Sequence, residues 1–192
     1  PRSRMAKSDR ERWDRRYADP IARLKKRGPN PLLVRHALPV RPGGRALELA
    51  CGLGRNAIWL AEQGYRVDAI DISLEALRHA RAEMQRRNVS GVNFILGDLD
   101  HFPLPDIPYD LVIVFRFLDR ALFPTIRDRT RPGGLVIYQT FNLRRLELHP
   151  TFSQEHLLRP GELAGFFPGW TILEATDEGD TSSFVGRKPA DG

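Results

Sequence analysis

A single cysteine, Cys51, serves the whole 192-residue chain, so no intramolecular disulfide can form and a reducing compartment is expected. No apolar run approaches the roughly 18 residues that a membrane span needs. The basic, polar N-terminus lacks the hydrophobic stretch of a secretory signal. These absences point to a cytoplasmic location and no membrane partner. Repeats, low-complexity tracts and internal linkers are missing too, so residues 1–192 read as a single domain. His149 and His156 stand apart, with no cysteine or acid at ligand spacing, so no metal site is expected.

What is present is the composition of a soluble globular protein, 41% hydrophobic and 28% charged. The net charge of +6 would fit a nucleic-acid partner, but it is concentrated at one end. Residues 1–30 hold 11 Lys and Arg against 4 Asp and Glu; the other 162 residues hold 19 against 20. The body is nearly neutral, and the basic end reads either as a solvated helix or as a surface for RNA or an acidic substrate.

The most informative stretch runs from Ala46 to Asp71. An apolar segment (Ala46 to Ala50) meets a glycine loop (Gly52, Gly54), a short helical pattern follows, and Gly64 stops it. A second strand pattern, Arg66 to Ile70, then ends in Asp71. Two glycines let the backbone turn sharply off a strand with no side chain between loop and ligand. Asp71 lies 17 residues beyond Gly54, within reach of the roughly 20-residue spacing that places a carboxylate on a ribose hydroxyl pair. This is a βαβ nucleoside-cofactor pattern.

Gly52-Leu53-Gly54-Arg55-Asn56-Ala57 fits the dinucleotide fingerprint, which alone is weak. Glu48 tilts the choice, because a carboxylate near the helix start repels a pyrophosphate. S-adenosylmethionine has no phosphate: Glu48 favours its ammonium, and the helix start with Arg55 favours its carboxylate. Both cofactors stay open on these residues, with the second preferred. Cys51, inside the loop, reads as a small packing residue, with a reactive thiol as the other reading.

Along the rest of the chain, Pro1 to Lys7 reads as an unstructured lead. A helix is expected over Ser8 to Ala18, with Trp13 and Tyr17 four apart on one face. These aromatics either pack on the sheet or close over the cofactor. Ile21 to Arg27 reads as another turn or two, and Asn30 caps a helix starting at Pro31. Ser73 caps a helix through about Arg87, and Val92 to Leu96 forms a third strand ending in Gly97-Asp98. Leu111 to Phe115 is an unbroken apolar run typical of a central parallel strand. Arg120 to Arg129 is amphipathic, Arg131-Pro132-Gly133-Gly134 turns, and Leu135 to Thr140 is a fifth strand. Pro160 to Phe167 reads as a short helix. Trp170 to Thr176 and Thr181 to Gly186 form a closing hairpin.

The expected fold is α/β: a Rossmann-like, seven-stranded, mostly parallel sheet with a C-terminal antiparallel hairpin and helices on both faces. Residues 1–37 form a helical lid segment and 45–187 the core. Ligands of such sheets sit beyond the strands' C-terminal ends, where Glu48, Asp71 and Asp98 each close a strand.

With those residues in place, the chain resembles the class I S-adenosylmethionine-dependent methyltransferases, most of all the small bacterial tellurite-resistance-type members. The resemblance spans nearly the whole chain: Trp13-Asp14-Arg15-Arg16-Tyr17, the loop Cys51 to Asn56, Gly97-Asp98, Arg131 to Gly134 and the hairpin. Ala50 stands where the family's loop has its first glycine. The resemblance implies that Glu48 and the backbone of Ala50, Cys51, Gly52 and Gly54 hold the methionine part. It further implies Asp71 on the ribose, Ile72 beside the adenine, Asp98 and Leu99 on the adenine edge, and Phe115 and Arg116 near the sulfonium. Tyr138, Phe141 and Asn142, with Trp13 and Tyr17, would surround the acceptor.

The implied activity is methyl transfer from S-adenosylmethionine to a small molecule by in-line displacement. No side-chain base is required for a soft or anionic acceptor; His149 and His156 are the candidates if one is used. The rivals are an RNA methyltransferase using the basic N-terminus, an NAD(P)-dependent oxidoreductase, and a nucleoside-cofactor-binding protein that transfers nothing. Residues 143–192 offer no evident Tyr-Lys or His-based set for the oxidoreductase.

Overall fold

The computed structural model describes residues 2–18, 28–37, 39 and 41–190. The strands are β1 (Arg45–Leu49), β2 (Arg66–Asp71), β3 (Val92–Leu96), β4 (Tyr109–Phe115), β5 (Thr130–Phe141), β6 (Thr171–Thr176) and β7 (Thr181–Arg187). The helices are α1 (Arg2–Tyr17), α2 (Pro31–His36), α3 (Arg55–Glu62), α4 (Leu74–Arg86), α5 (Phe123–Arg129), α6 (Arg145–Leu148) and α7 (Glu162–Gly165). The strands form one sheet in the order β3-β2-β1-β4-β5-β7-β6, the expected Rossmann-like arrangement closed by an antiparallel pair. None of the described helices is long and apolar enough to cross a membrane. The chain divides into two compact units, residues 1–105 and 106–192.

In the first unit β1, β2 and β3 are parallel, with Glu48 opposite Ala69 and Asp71 opposite Leu96. Leu47, Leu49, Ala69 and Ile70 are buried, as strands covered on both faces require. α3 starts at Gly54 and buries Ala57, Ile58 and Leu60. α4 starts at Ser73, whose Oγ accepts the Ala76 N–H at 3.1 Å, and buries Ala76, Leu77 and Ala80. Asn88 ends it in the left-handed region, φ +54°, while the Val89 N–H returns to the Met84 carbonyl. α2 starts where the dipeptide Asn30-Pro31 predicts. Asn30 Oδ1 accepts the Leu32 N–H at 2.8 Å, and Pro31 fills a position that needs no amide.

In the second unit β4 pairs parallel with β5, and β7 pairs antiparallel with both β5 and β6. Its core is aromatic: Phe123 stacks on Phe166 at 3.9 Å, and Phe167 stacks on Phe184 at 4.5 Å.

Three elements depart from expectation. α1 begins at Arg2, so the supposed lead is helical. The Arg131 to Gly134 turn lies inside β5, where the register jumps from Tyr109–Thr130 to Leu111–Leu135. Gly133 has φ +73°, its N–H goes to the Lys188 carbonyl, and the Lys188 N–H returns to Gly134, so the turn is stitched to the chain just past β7. The segment Arg120 to Arg129 breaks into a 3₁₀ turn (Arg120–Leu122) and α5, because Pro124 cannot donate to a continuous helix. The turn expected over Ile21 to Arg27 lies outside the described residues.

Replacing Asn30 with alanine removes the α2 cap and should lower unfolding free energy by about 1 kcal/mol, read from the urea midpoint.

Candidate functional site

Three acidic side chains of the first unit, Glu48, Asp71 and Asp98, stand at or just past the ends of β1, β2 and β3. Glu48 is 2% exposed on β1. Its Oε1 accepts the Asn56 Nδ2–H at 2.9 Å, while its Oε2, buried, has no hydrogen-bond partner among the described residues. Asn56 in turn accepts the Asn30 N–H on Oδ1 at 2.9 Å, which fixes the direction of its amide. Burial pushes the Glu48 carboxyl from its ordinary 4.5 up to about 8, against the opposing pull of the Asn56 side chain and the Ala57 backbone amide. A shift in that direction favours the uncharged acid near neutral pH. A cation placed at Oε2 would ionise it.

The loop after β1 is left-handed at alternate residues: Ala50 at φ +54°, Gly52 at +53° and Gly54 at +65°. Ala50, the residue without the family's glycine, keeps the backbone conformation that a glycine would take, at the cost of a crowded Cβ. Gly54 is demanded by packing, since a Cβ there would meet Phe94 at 2.7 Å and Ala80 at 2.9 Å. A Cβ on Gly52 would stand 2.9 Å from the Tyr17 hydroxyl, so α1 reaches this loop. Arg55 opens α3 directly behind. Cys51 is buried, and burial followed by Asp71 and Glu48 pushes its thiol pKa upward. That favours the packing reading over the reactive one.

Asp71 is pinned by backbone amides: Oδ2 accepts Gly52 N–H at 2.6 Å and Oδ1 accepts Ser73 N–H at 2.9 Å. Burial raises its pKa while these amides oppose the rise. The carboxylate therefore holds the glycine loop as well as facing the rim, and Ile72 follows it. Asp98 is half-buried, bonded to the Asp100 N–H at 3.2 Å and to His101 Nδ1 at 3.0 Å; Leu99 beside it is buried.

Other candidate residues lie in the second unit. Phe115 ends β4 half-buried, and Arg116 follows in a strained left-handed conformation, φ +58°, its N–H on the Gln139 carbonyl. Tyr138 is buried and donates its hydroxyl to the Phe117 carbonyl at 2.9 Å. Phe141 carries the Arg145 guanidinium over its ring at 4.3 Å and meets Phe152 edge-on. Asn142 is fully buried; its Oδ1 accepts Arg144 N–H and its Nδ2 reaches the Gly179 carbonyl. Its amide is thus spent on the chain's own turns. His149 and His156, the candidate bases, are both exposed, and His156 lies 3.5 Å from Glu155. Trp13 stacks at 6.0 Å from Tyr17, with Arg12 and Arg16 over its ring.

Residues 46–134 match the family model described as a methyltransferase domain. That stretch is therefore similar to a methyltransferase domain. Among curated relatives, a demethylmenaquinone methyltransferase of Renibacterium salmoninarum is 32% identical, over 63% of this chain and 48% of its own. Among solved structures, TehB from Haemophilus influenzae superposes with a TM-score of 0.65 at 19% identity, covering 76% of this chain and 58% of that one. Haemonchus contortus phosphoethanolamine N-methyltransferase 2, in complex with S-adenosyl-L-methionine, gives 0.68 at 16% identity, covering 82% and 51%. These likenesses show a shared fold. The chain spans 39 to 50% of the length of the curated relatives it matches. Methyltransferases of this kind use S-adenosylmethionine, and one feature fits it: the strand leading into the glycine loop carries a buried carboxyl oxygen, on Glu48, without a hydrogen bond among the described residues.

Three residues of this rim are not evident from the sequence pattern. Asn30 was read only as a cap, yet its N–H holds Asn56. His101 pairs with Asp98 from an unremarkable loop position. Asp14, within the Trp13 to Tyr17 motif, accepts the Ser73 hydroxyl at 2.6 Å. Its place in that motif, one turn before Tyr17 on α1, was the signal available.

Two outcomes follow from the geometry. Ala50→Gly should raise unfolding free energy by about 1 kcal/mol by removing left-handed strain, read by urea unfolding. Because the folded Glu48 pKa lies above its unfolded value, its contribution is intact below pH 4.5 and lost as pH rises to about 8. Unfolding followed across that window should show this decline, and Glu48→Gln should remove it.

Proposed function

We propose that this protein transfers a methyl group from S-adenosylmethionine to a small-molecule acceptor by in-line displacement. The observation that carries the reading is the unserved, buried Oε2 of Glu48 beside the loop Ala50 to Gly54. A pyrophosphate would meet that acid as an obstacle, whereas an ammonium group would complete it.

When bound, S-adenosylmethionine supplies a methyl group already made electrophilic by its sulfonium. The chain's part is to bind and orient. Glu48 takes the ammonium, with Asn56 holding its carboxyl in place. The backbone of Ala50, Cys51, Gly52 and Gly54 lies against the methionine part, and Arg55 with the start of α3 favours its carboxylate. Asp71 serves the ribose hydroxyls through lone pairs left beside its two amide bonds; Ile72, Asp98 and Leu99 serve the adenine. Phe115 and Arg116 are the candidates for the sulfonium side. Trp13, Tyr17, Tyr138, Phe141 and Asn142 are those for the acceptor, on the family resemblance. Fixed geometry supplies most of the acceleration in such a transfer, and no side-chain base is assigned. Residues 1–192 act as one catalytic domain in this reading. The names of the relatives, demethylmenaquinone methyltransferase among them, support a small acceptor.

Calorimetric titration tests the cofactor directly. S-adenosylmethionine and S-adenosylhomocysteine should bind at micromolar concentration, and NAD should give no heat. Run at pH 7 in buffers of different ionisation enthalpy, binding should release about one proton, because Glu48 is protonated beforehand. NAD binding in place of the methionine cofactors would end the proposal, and binding without proton release would remove Glu48 from it.

A further inference from the structure

α1 meets the rim of the first unit at two places, and both belong to the machinery around Asp71. Asp14 Oδ1 accepts the Ser73 hydroxyl at 2.6 Å and the Glu75 N–H at 3.3 Å. One turn on, Tyr17 places its hydroxyl against Gly52. Positions i and i+3 share a helix face, so these two contacts come from one side of α1. Trp13 instead carries Arg12 and Arg16 over its ring, at 5.7 and 5.0 Å, and Arg12 pairs with Asp9.

Ser73 joins the parts. Its hydroxyl donates to Asp14 and accepts from the Ala76 N–H, and its own N–H donates to Asp71 Oδ1. The other oxygen of Asp71 takes the Gly52 N–H, and Gly52 is the residue under Tyr17. The path closes on itself: Asp14, Ser73, Asp71, Gly52, Tyr17 and back along one turn of α1. Asp14 also sits at the positive end of α4, a 13-residue helix, where a carboxylate is favoured. Helix docking alone would be served by apolar contacts. Here it uses a carboxylate brought to the same serine that orients Asp71, although the Asp14 charge bears unfavourably on that buried acid.

We propose that Asp14 is a positioning residue of the cofactor site, coupling the docking of α1 to the placement of Asp71 and the glycine loop. This deepens the cofactor reading above and rests on it. Coupling of this kind is reciprocal: what α1 docking does for cofactor affinity, cofactor binding does for α1 docking. Docked α1 keeps Ser73 in its capping rotamer and Asp71 in register with Gly52. With α1 released, the serine hydroxyl loses its acceptor and Asp71 loses a fixed neighbour.

The test uses the full chain with Asp14→Ala and Asp14→Asn, the second retaining an acceptor oxygen for Ser73 and Glu75. Hydrogen exchange at the Gly52 and Ser73 amides is read without ligand, and α1 exchange and affinity are read with S-adenosylhomocysteine. Asp14→Ala should speed exchange of both amides, weaken the nucleoside about tenfold, and abolish the ligand-induced protection of α1 that the wild type shows. Asp14→Asn should restore all three. Unchanged Gly52 and Ser73 exchange in Asp14→Ala, or an asparagine variant as impaired as the alanine one, overturns the coupling. If wild-type protein ignores S-adenosylhomocysteine while the two amides still respond to Asp14→Ala, the cofactor reading fails and the coupling to a cofactor falls with it, leaving only an ordering of Asp71 and the glycine loop by α1.

Discussion

A buried carboxyl oxygen with nothing to bond is the constraint around which this rim is built. Leaving such a group unserved costs on the order of 1–3 kcal/mol, more if it is charged. The fold meets that cost at Glu48 by keeping the proton on at neutral pH and giving the other oxygen to Asn56. Asn56 is itself held by the backbone of Asn30, so the residue that starts α2 steadies the acid that ends β1. A position tuned only for stability would carry a glutamine or an apolar residue there. In the proposed reading, a bound ammonium would relieve that cost.

The loop between β1 and α3 spends conformational energy in the same place. Gly52 and Gly54 take left-handed backbone freely, and Gly54 also lets Phe94 and Ala80 close behind the loop. Ala50 takes the same backbone region without that freedom. The conformation is therefore set from outside: by the Cys51 N–H on the Ile70 carbonyl, the Gly54 N–H on the Cys51 carbonyl, and Asp71 on Gly52. A loop held at so many points is preorganised, which lowers the ordering cost of binding.

How much of this could be read beforehand differs by the range of the interaction. Local signals were legible: the apolar run of β1, the glycines, the Asn30-Pro31 start of α2, the Ser73 cap and the order of strands. Each depends on neighbours within four residues or on a repeating pattern. The Arg131 to Gly134 segment misled because a turn sequence and a bulged strand share the same glycines. The stitch to Lys188 lies more than fifty residues away. The uses of Asn30, Asn56 and Asp14 were illegible for the same reason, since their partners stand 26, 8 and 59 residues off. Residue type predicted that Asn142 would be polar and near the end of β5. It could not predict that its amide would be consumed by Arg144 and Gly179.

Three acids on one rim would ordinarily repel one another, and the structure quiets each by a different device. Glu48 keeps its proton, Asp71 is wrapped by two amides and a capping turn, and Asp98 is tied to His101 and its own loop. A divalent metal needs several ionised oxygens converging without competitors, and here the oxygens are protonated, bonded to amides or paired. A pyrophosphate needs positive charge or bare amides, but the Gly52 amide is already given to Asp71. In the proposed reading, a ligand with one compact positive group and no phosphate would meet the idle oxygen of Glu48. The proposed preference of the rim for such a cation thus rests on what each acid already bonds to as much as on the acids' sign.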